Sequence, residues 1–293
     1  MTPRRADVTL VAATAIWGVS FVIVKEALAA ASPLAFLSLR FALAAVVLAP
    51  FTDLKTRFSG AELRGGALLT AMLASGFAAQ AVGLQYTTPA RSAFIVALSS
   101  VLAPVVGFLW LRQRPRWHVA LAVAIAGGGI SLLTAPDGGG LNRGDLWTFI
   151  TALVFGGQIV AVAELAQRHD ARRLVWLQLA GTALGTAVAA AAFESVRVAW
   201  SLELLGALVF TAVASTALAL VLQMEAQRHM SAVRAALLFC LEPVFAALAS
   251  WMWRGETFSI TQWYGAGMIL AGTILAELPV RARPALPQEP SPP

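Results

Sequence analysis

The sequence predicts an all-α membrane protein with ten transmembrane helices, arranged as two inverted repeats of five helices each. Hydrophobic residues make up 59% of the chain and charged residues only 12%, about half the charged share of a soluble domain. Apolar runs of about 20 residues, the length that crosses a bilayer as a helix, recur along the chain. Short motifs of the first half also recur in the second half. Together these features exclude a soluble globular fold.

The helices follow from the positions of the apolar runs and of the residues that interrupt them. Pro33 favours the first turn of the second helix, and a charged loop at residues 53–64 follows that helix. Turn residues at 86–89 and a basic loop at 112–116 bound the fourth helix, and residues 137–140 separate the halves. We predict the ten helices at residues 7–29, 33–50, 65–85, 92–111, 117–136, 144–167, 172–193, 202–228, 231–253 and 258–278.

The positive charges of the loops predict the orientation of the helices. With the N-terminus inside, fifteen Arg and Lys residues fall in inner segments and five in outer segments. Both termini are therefore expected on the cytoplasmic side of the membrane, with residues 281–293 as a disordered cytoplasmic tail. Arg4 and Arg5 also fit a signal peptide cleaved near residues 29–31. The apolar run that follows Arg5 is long for the hydrophobic region of a signal peptide and includes Trp17, so we favour a first transmembrane helix.

A repeated motif divides the chain into two halves. Residues 16–21 (Ile-Trp-Gly-Val-Ser-Phe) resemble residues 154–159 (Val-Phe-Gly-Gly-Gln-Ile), and the same offset relates Glu26 to Glu164. We therefore predict one repeat at residues 1–136 and a second at residues 137–280. Because each repeat has an odd number of helices, the second enters the membrane from the opposite side. Inverted repeats of this kind bind cargo at their interface near the membrane midplane and open alternately to the two sides.

A carboxylate and two prolines interrupt the apolar runs near their centres. Pro104 and Pro243 lie at corresponding places in the fourth and ninth helices, and we expect both to act as kinks or hinges. Glu242 precedes Pro243 at mid-membrane, where a carboxylate costs about 3 kcal/mol unless it meets a partner or a water-filled cavity. Glu242 is therefore expected to line a cavity, to carry a proton or to cap the bent backbone.

Further polar side chains lie near the centres of several helices and indicate where a small molecule would bind. The predicted substrate-binding residues are Trp17, Ser20, Gln80, Ser99, Ser100, Gln158, Gln178, Ser215 and Glu242. This midplane is polar but nearly uncharged, so it can hydrogen-bond the ammonium and carboxylate of a zwitterion while Trp17 accepts its side chain. The alternative is structural, with serines bonding their own helix and glutamines bridging helices.

Two cations in the first two helices have several interpretations. Arg40 lies seven residues into the second helix. An ion pair with Glu26, a bond to a substrate carboxylate, and extension of the side chain to the membrane surface all remain open. Lys25, near the outer end of the first helix, is expected at the membrane interface.

The motifs around these residues resemble a known family. They are Ile16-Trp17-Gly18 with Phe21 and Lys25, Pro33 with Leu39-Arg40-Phe41, Leu241-Glu242-Pro243 through Ala247, and the glycines Gly265 and Gly272. They resemble EamA-type transporters of the drug/metabolite transporter superfamily and, more narrowly, bacterial amino-acid and metabolite exporters of the YddG type. The resemblance covers residues 8–278 and implies ten helices and export of small metabolites across the inner membrane. Ala103 stands where the family often has Glu before Pro104, which implies that Glu242 has no counterpart in the first half.

Other features exclude several functions. The sequence has no zinc-protease, nucleophile-elbow, Walker or dinucleotide-binding motif, and its three histidines lack metal-ligand spacing. We therefore expect no enzyme activity, no cofactor and no metal. The single cysteine, Cys240, excludes an internal disulfide. The net charge of +6 arises from the inner loops, so we expect no nucleic-acid partner.

Together these observations predict a secondary or facilitated exporter of amino acids or similar small metabolites that works by alternating access. Its expected partners are the small-molecule substrate and membrane lipid, with protons as an open alternative for coupling. Two other functions remain open. One is the same fold with multidrug, organic-cation or nucleotide-sugar cargo, and the other is a membrane-embedded lipid-handling enzyme.

Overall fold

The computed structural model describes residues 3–111, 117–134, 141–230, 235 and 238–277. Within these ranges the regular structure is helical, apart from an isolated antiparallel bridge between Ala31 and Val198. Six helices are long and apolar enough to cross a membrane, namely Arg4–Ala30, Pro33–Phe51, Gly60–Tyr86, Arg143–Leu165, Ala171–Phe193 and Leu202–Gln227. The chain is therefore all-α with the composition of a membrane protein, while its predicted tail lies outside the described residues.

The helices are numbered along the described chain. They are α1 (Pro3–Ala30), α2 (Pro33–Leu48), α3 (Gly60–Tyr86), α4 (Pro89–Val96), α5 (Leu98–Leu111), α6 (Trp117–Thr134), α7 (Arg143–Leu165), α8 (Ala171–Phe193), α9 (Leu202–Val209), α10 (Ala219–Gln227), α11 (Glu242–Arg254) and α12 (Ile260–Glu277). A 3₁₀ turn at Ala49–Phe51 follows α2, and a π-helix at Phe210–Leu218 joins α9 to α10. The predicted fourth helix is thus divided into α4 and α5.

The local sequence explains several helix ends. Ser59 and Glu62 form a capping box at the start of α3, where Ser59 N–H donates to Glu62 Oε2 at 2.8 Å. Asn142 and Asp145 form another at the start of α7, where Asn142 N–H donates to Asp145 Oδ2 at 2.9 Å. α11 ends at Gly255, whose φ of 63° lies in the left-handed region that glycine adopts without strain. These ends lie where the sequence supplies partners for exposed backbone groups.

The break in the predicted fourth helix does not lie at its proline. α4 ends at Val96, Ala97 forms a turn, and the N–H of Ser100 donates to the Ala97 carbonyl at 3.2 Å. This short-range bond tightens the turn, and α5 then continues through Pro104. The structure therefore places the break well before the expected position.

In the second half the turn also precedes the proline. Cys240 and Leu241 form the turn before α11, so Pro243 lies in the first turn of a new helix, where it removes no helical hydrogen bond. The turns at Ala97 and Cys240 are farther apart along the chain than the two prolines are, so turns and prolines do not share one repeat offset. This corrects the predicted pairing of Pro104 with Pro243, and their role as hinges stays a prediction.

Helices of the first half pack on those of the second in a paired pattern. α3 packs on α7 and α8, while the segment from α9 to α10 packs on α1 and α2. α4 and α5 pack on α7, while α11 packs on α1. In addition, α2 packs on α8, α4 on α11 and α6 on α12. We match α1, α2 and α6 with α7, α8 and α12, α3 with the segment from α9 to α10, and α4 and α5 together with α11. Exchanging the two halves then turns the contacts within each of the first two groups into one another and leaves the last three pairs unchanged.

The outside of the bundle carries large apolar side chains. Val46, Leu184, Met252 and Ile260 are between 68% and 77% exposed. In water such a surface would promote association, whereas in a membrane it contacts lipid tails at no cost. The exposed surface therefore agrees with the membrane-protein character of the chain.

One end of the bundle, which we call the Lys25 end, is where α1 and α3 finish. Lys25 Nζ donates to the carbonyls of Leu84, Gln85 and Thr87, the last two at 3.3 and 3.1 Å. Lys25 thereby caps the C-terminus of α3, where a cation also complements the helix dipole. The side chain predicted at the membrane interface thus has a specific structural partner.

Ion pairs join the two halves at the Lys25 end. Glu26 on α1 pairs with Arg254 on α11, and both side chains are partly exposed. Arg91 on α4 pairs with Asp145 on α7, with Arg91 Nε donating to Asp145 Oδ1 at 2.9 Å in a buried position. A buried bidentate contact of this kind is much less screened than an exposed one. The two halves are therefore held together at this end by one buried and one exposed pair.

At the opposite end of the bundle, which we call the Arg173 end, the loop between α2 and α3 contacts Arg173 on α8. Arg173 Nε donates to Glu62 Oε1 at 2.8 Å, and its guanidinium carbon lies 4.2 Å from the centroid of the Phe58 ring. In the same loop the Thr56 hydroxyl donates to Asp53 Oδ2 at 2.6 Å and holds the pKa of that exposed carboxyl below its usual value. α8 of the second half is thereby tied to a loop of the first.

Candidate functional site

A cavity lies between the two halves, near the start of α11. Its walls are Trp17, Ser20, Phe21, Leu73, Phe77, Gln80, Val96, Ser99, Phe155, Gln158, Ile159, Leu220, Gln223, Phe239 and Glu242. The empty space among these side chains, including its open mouth, is about 660 Å³. Mostly apolar walls with a few polar groups are typical of sites for small molecules.

Six of the nine predicted binding residues line this cavity. They are Trp17, Ser20, Gln80, Ser99, Gln158 and Glu242. The Ser20 hydroxyl also donates to the carbonyl of Trp17 in its own helix at 2.7 Å. This serine therefore also makes the bond to its own helix that the alternative interpretation predicted. Glu242 lies at the first residue of α11 and is partly exposed to the cavity. Among the wall residues that lie in the described part of the chain, it is the sole ionisable side chain.

The other three predicted residues lie behind the wall. Gln178 is buried and accepts a hydrogen bond from Gln158 Nε2 at 3.4 Å through its side-chain oxygen. Ser215 is buried, and its backbone carbonyl accepts a hydrogen bond from the Trp17 indole at 2.8 Å. Ser100 is also buried and is not a wall residue. Gln178 and Ser215 therefore hold wall residues, which is a different role from the predicted contact with substrate.

Aromatic rings form much of the wall, and the sequence reasoning did not include four of them. Phe77 and Phe155 meet edge to face with centroids 5.3 Å apart, and Phe239 lies 5.9 Å from Trp17. Phe21 completes the set. Selecting only polar residues near helix centres left these rings out, although Phe21 and Phe155 lie within the repeated motif itself. The rings give the cavity an apolar surface suited to a large side chain.

Gln223 is the polar wall residue that sequence reasoning missed, because it lies toward the end of the predicted eighth helix. Gln223 lies as far after Gln80 in the chain as Glu242 lies after Ser99. The interval from Ser20 to Gln158 is shorter. The spacing of the repeat therefore changes after the second helix, and allowing for that change would have identified Gln223.

The close packing of two glycines supports this pairing. A Cβ added at Gly18 would lie 2.8 Å from the Glu242 carbonyl oxygen, and one added at Gly156 would lie 3.0 Å from the Ser99 carbonyl oxygen. The two glycines are related by the shorter interval of the repeat, and their partners by the longer one. The position equivalent to Glu242 is therefore Ser99, which corrects the expectation that Ala103 stands there.

Arg40 neither pairs with Glu26 nor extends to the membrane surface, which corrects two of its three predicted interpretations. Glu26 pairs with Arg254, and the Arg40 side chain is buried, with 1% of the residue exposed, so it does not extend to the membrane surface. Arg40 Nε donates to Thr216 Oγ1 at 2.7 Å. Its guanidinium carbon also lies 4.9 Å from the centroid of the Phe77 ring. Hydroxyls and aromatic rings thus contact this cation. Glu26 lies instead at the Lys25 end, where it pairs with Arg254.

Within the described residues, no group of three or more His, Cys, Asp or Glu side chains has the arrangement of a metal site. The described walls of the cavity offer hydrogen bonds, the Glu242 carboxylate and aromatic surface to a small molecule.

Comparison with known proteins gives three findings. The model of the EamA-like transporter family matches residues 4–135 and 142–278. Two proteins of Archaeoglobus fulgidus named uncharacterized transporter are 30% and 25% identical, over 94% and 93% of this chain and 86% and 96% of their own. A crystal structure with 19% sequence identity superposes with a TM-score of 0.70, over 94% of this chain and 97% of the other. At this identity the superposition shows the shared fold alone.

Proposed function

Because this chain belongs to the EamA-like transporter family, it is a membrane transporter, and we propose that it exports amino acids or similar small zwitterions. The proposed route crosses a bacterial inner membrane by alternating access, without a cofactor. The observation that carries this proposal is the composition of the cavity. One carboxylate, two serines and three glutamines lie among aromatic rings, which together match an ammonium, a carboxylate and an apolar side chain.

The proposed architecture is ten membrane helices in two inverted repeats. Three observations support it. The family model matches two stretches of similar length, residues 4–135 and 142–278. Helix packing is paired between the halves. Cavity residues also fall in equivalent pairs, such as Gln80 with Gln223 and Ser99 with Glu242. Inverted repeats place a binding site at their interface, where this cavity lies.

Counterflow in liposomes tests the proposed cargo. Vesicles loaded with unlabelled leucine, phenylalanine, alanine, lysine or glutamate should accumulate the same labelled amino acid transiently, because a carrier exchanges cargo faster than it carries it one way. We expect the strongest signal for amino acids with large apolar side chains, since aromatic rings line the cavity. Empty vesicles are the control. The absence of counterflow for all five amino acids would remove the proposed cargo class.

A second candidate cargo is an organic cation. Glu242 and the rings of Trp17, Phe77 and Phe239 share one cavity, and a desolvated cation binds both carboxylates and aromatic faces. Counterflow of tetraethylammonium, with no counterflow of any amino acid, would select this candidate over the first.

We also propose that the Lys25 end faces the outside and that the pair Glu26–Arg254 closes it in the present conformation. Charge reversal of one partner, Glu26→Arg or Arg254→Glu, should slow counterflow by about two- to fivefold, because an exposed pair is worth up to about 1 kcal/mol. The double swap should restore the rate by rebuilding the pair in the opposite sense. If the double variant is slower than either single variant, the pair has no part in closing this end.

A further inference from the structure

Arg40 is a buried cation behind the cavity wall that the proposed transport cycle does not use. Its contacts reach a wall residue of the cavity on one side and the π-helix on the other. The guanidinium carbon lies 4.9 Å from the ring centroid of Phe77, which lines the cavity. On the other side, Arg40 Nε donates to Thr216 Oγ1 at 2.7 Å and Arg40 Nη2 to Ser215 Oγ at 3.4 Å. Both hydroxyls lie on the π-helix between α9 and α10.

The π-helix in turn holds Trp17. In an α-helix the N–H of Ala219 would donate to the backbone carbonyl of Ser215. Here it donates to the carbonyls of Ala214 and Thr216. The Ser215 carbonyl accepts a hydrogen bond from the Trp17 indole at 2.8 Å. The π-helical backbone thus leaves the Ser215 carbonyl available to accept the hydrogen bond that fixes the orientation of the Trp17 ring.

Stability alone does not explain a guanidinium at this position. Replacing a buried charge by an apolar side chain of similar volume is often neutral or stabilising. A guanidinium differs from an apolar chain in its planar fork, which binds two hydroxyls while its face covers a ring. Arg40 makes both kinds of contact, with Ser215 and Thr216 on one side and Phe77 on the other.

The equivalent position of the second half has a comparable role. Gln178 follows Arg40 at the same interval at which Gln158 follows Ser20, and it is equally buried, with 1% exposed. Gln178 accepts a hydrogen bond at 3.4 Å from Gln158, which lines the cavity as Ser20 does. Each half therefore places a buried polar residue of its second helix behind the cavity wall.

We propose that Arg40 is a positioning residue for cargo selectivity. It holds the π-helix against α2, the Ser215 carbonyl of that π-helix holds the Trp17 ring, and the ring shapes the wall that accepts the side chain of the cargo. This inference rests on the proposed function for its transport readout, but its structural readout needs no cargo.

Three variants and a matched control test the proposal. Thr216→Val removes the hydroxyl that accepts from Arg40 Nε and keeps the volume of the side chain. Arg40→Met removes the whole fork, and Arg40→Lys keeps only the charge. Thr211→Val is the control, because this buried threonine lies on the same π-helix and, within the described part of the chain, donates to the carbonyls of Ala207 and Leu208 alone.

The structural readout is the indole ¹⁵N–¹H spectrum of full-length protein in detergent, where the peak of Trp17 is identified by its loss in Trp17→Phe. Thr216→Val, Arg40→Met and Arg40→Lys should each shift this peak, and Thr211→Val should leave it in place. The transport readout is the ratio of leucine to alanine counterflow. It should fall about tenfold in Thr216→Val, as expected for loss of one hydrogen bond to a charged group.

Two results would overturn the proposal. One is an unchanged Trp17 peak in Thr216→Val, which is decisive even if Arg40→Met does not fold. The other is a wild-type spectrum and ratio in Arg40→Lys, because charge alone would then suffice. If the wild-type protein carries no amino acid but the Trp17 peak shifts as expected, the positioning role stands and the proposed cargo fails.

Discussion

Glu242→Gln should abolish the response of transport to a proton gradient. Among the cavity walls that the structure describes, Glu242 is the sole ionisable side chain, so it is the group best placed to carry a proton in exchange for the cargo. Glutamine keeps the shape but has no proton to release. We expect gradient-driven efflux in this variant to fall to the rate measured without a pH gradient. The measurement is efflux from liposomes at several imposed pH gradients.

Counterflow in the same variant separates two roles of Glu242. If the carboxylate only carries the proton, counterflow should remain within a few-fold of wild type. If it also binds the ammonium of the cargo, counterflow should fall together with efflux. Glu164→Gln is the matched control, because Glu164 is half exposed and pairs with Arg168 one turn away, a contact of small energetic weight. An unchanged pH profile in Glu242→Gln would contradict the proposed proton coupling.

Gly18→Ala should destabilise the fold and reduce transport. The added methyl group would lie 2.5 Å from Phe245 Cβ, 2.8 Å from the Glu242 carbonyl oxygen and 2.9 Å from Ala246 N. Two of these atoms belong to the backbone of α11, so the helix itself has to move. Overpacking of this kind costs about 1–3 kcal/mol. The thermal unfolding midpoint in detergent should fall by roughly 2–4 °C for each kcal/mol.

Two other glycines give a graded series for this measurement. A methyl group at Gly156 would lie 3.0 Å from the Ser99 carbonyl oxygen, so Gly156→Ala should cost less than Gly18→Ala. Gly185 on α8 has no atom within 4 Å of an added Cβ, so Gly185→Ala should be neutral or slightly stabilising through its helix propensity. Equal losses at Gly18 and Gly185 would show that α1 and α11 are not in close contact.

The sequence predicted the class of the fold and much of the cavity, because the length of an apolar run and a polar residue at its centre can both be read locally in the sequence. Trp17, Gln80 and Glu242 stand out in apolar runs, and all three line the cavity. Gln223 was missed because the interval between equivalent residues of the two halves lengthens after the second helix, since α8 is longer than α2 and its 3₁₀ turn together. The break at Ala97 depends on packing and a short-range hydrogen bond, which no residue type indicates.

Arg40 shows the same limit in a different way. Its position within an apolar helix predicted a special environment, but its partners could not be predicted. The hydroxyl of Thr216 lies far away in the sequence, on a segment whose π-helical form no motif predicts. Side chains that support a site from behind are found through tertiary contacts, whereas wall residues can be found from helix position.

The pairing of Ser99 with Glu242 gives the cavity a built-in polarity. A carboxylate lies on one side and a hydroxyl at the matching place on the other, so a zwitterion turned end over end meets different neighbours. Only one orientation of the cargo places its ammonium beside the Glu242 carboxylate. A carrier with two identical halves would bind arriving cargo alike from either side, whereas unlike halves allow a different affinity on each side while the gradients of cargo and coupled ion set the direction of net flow.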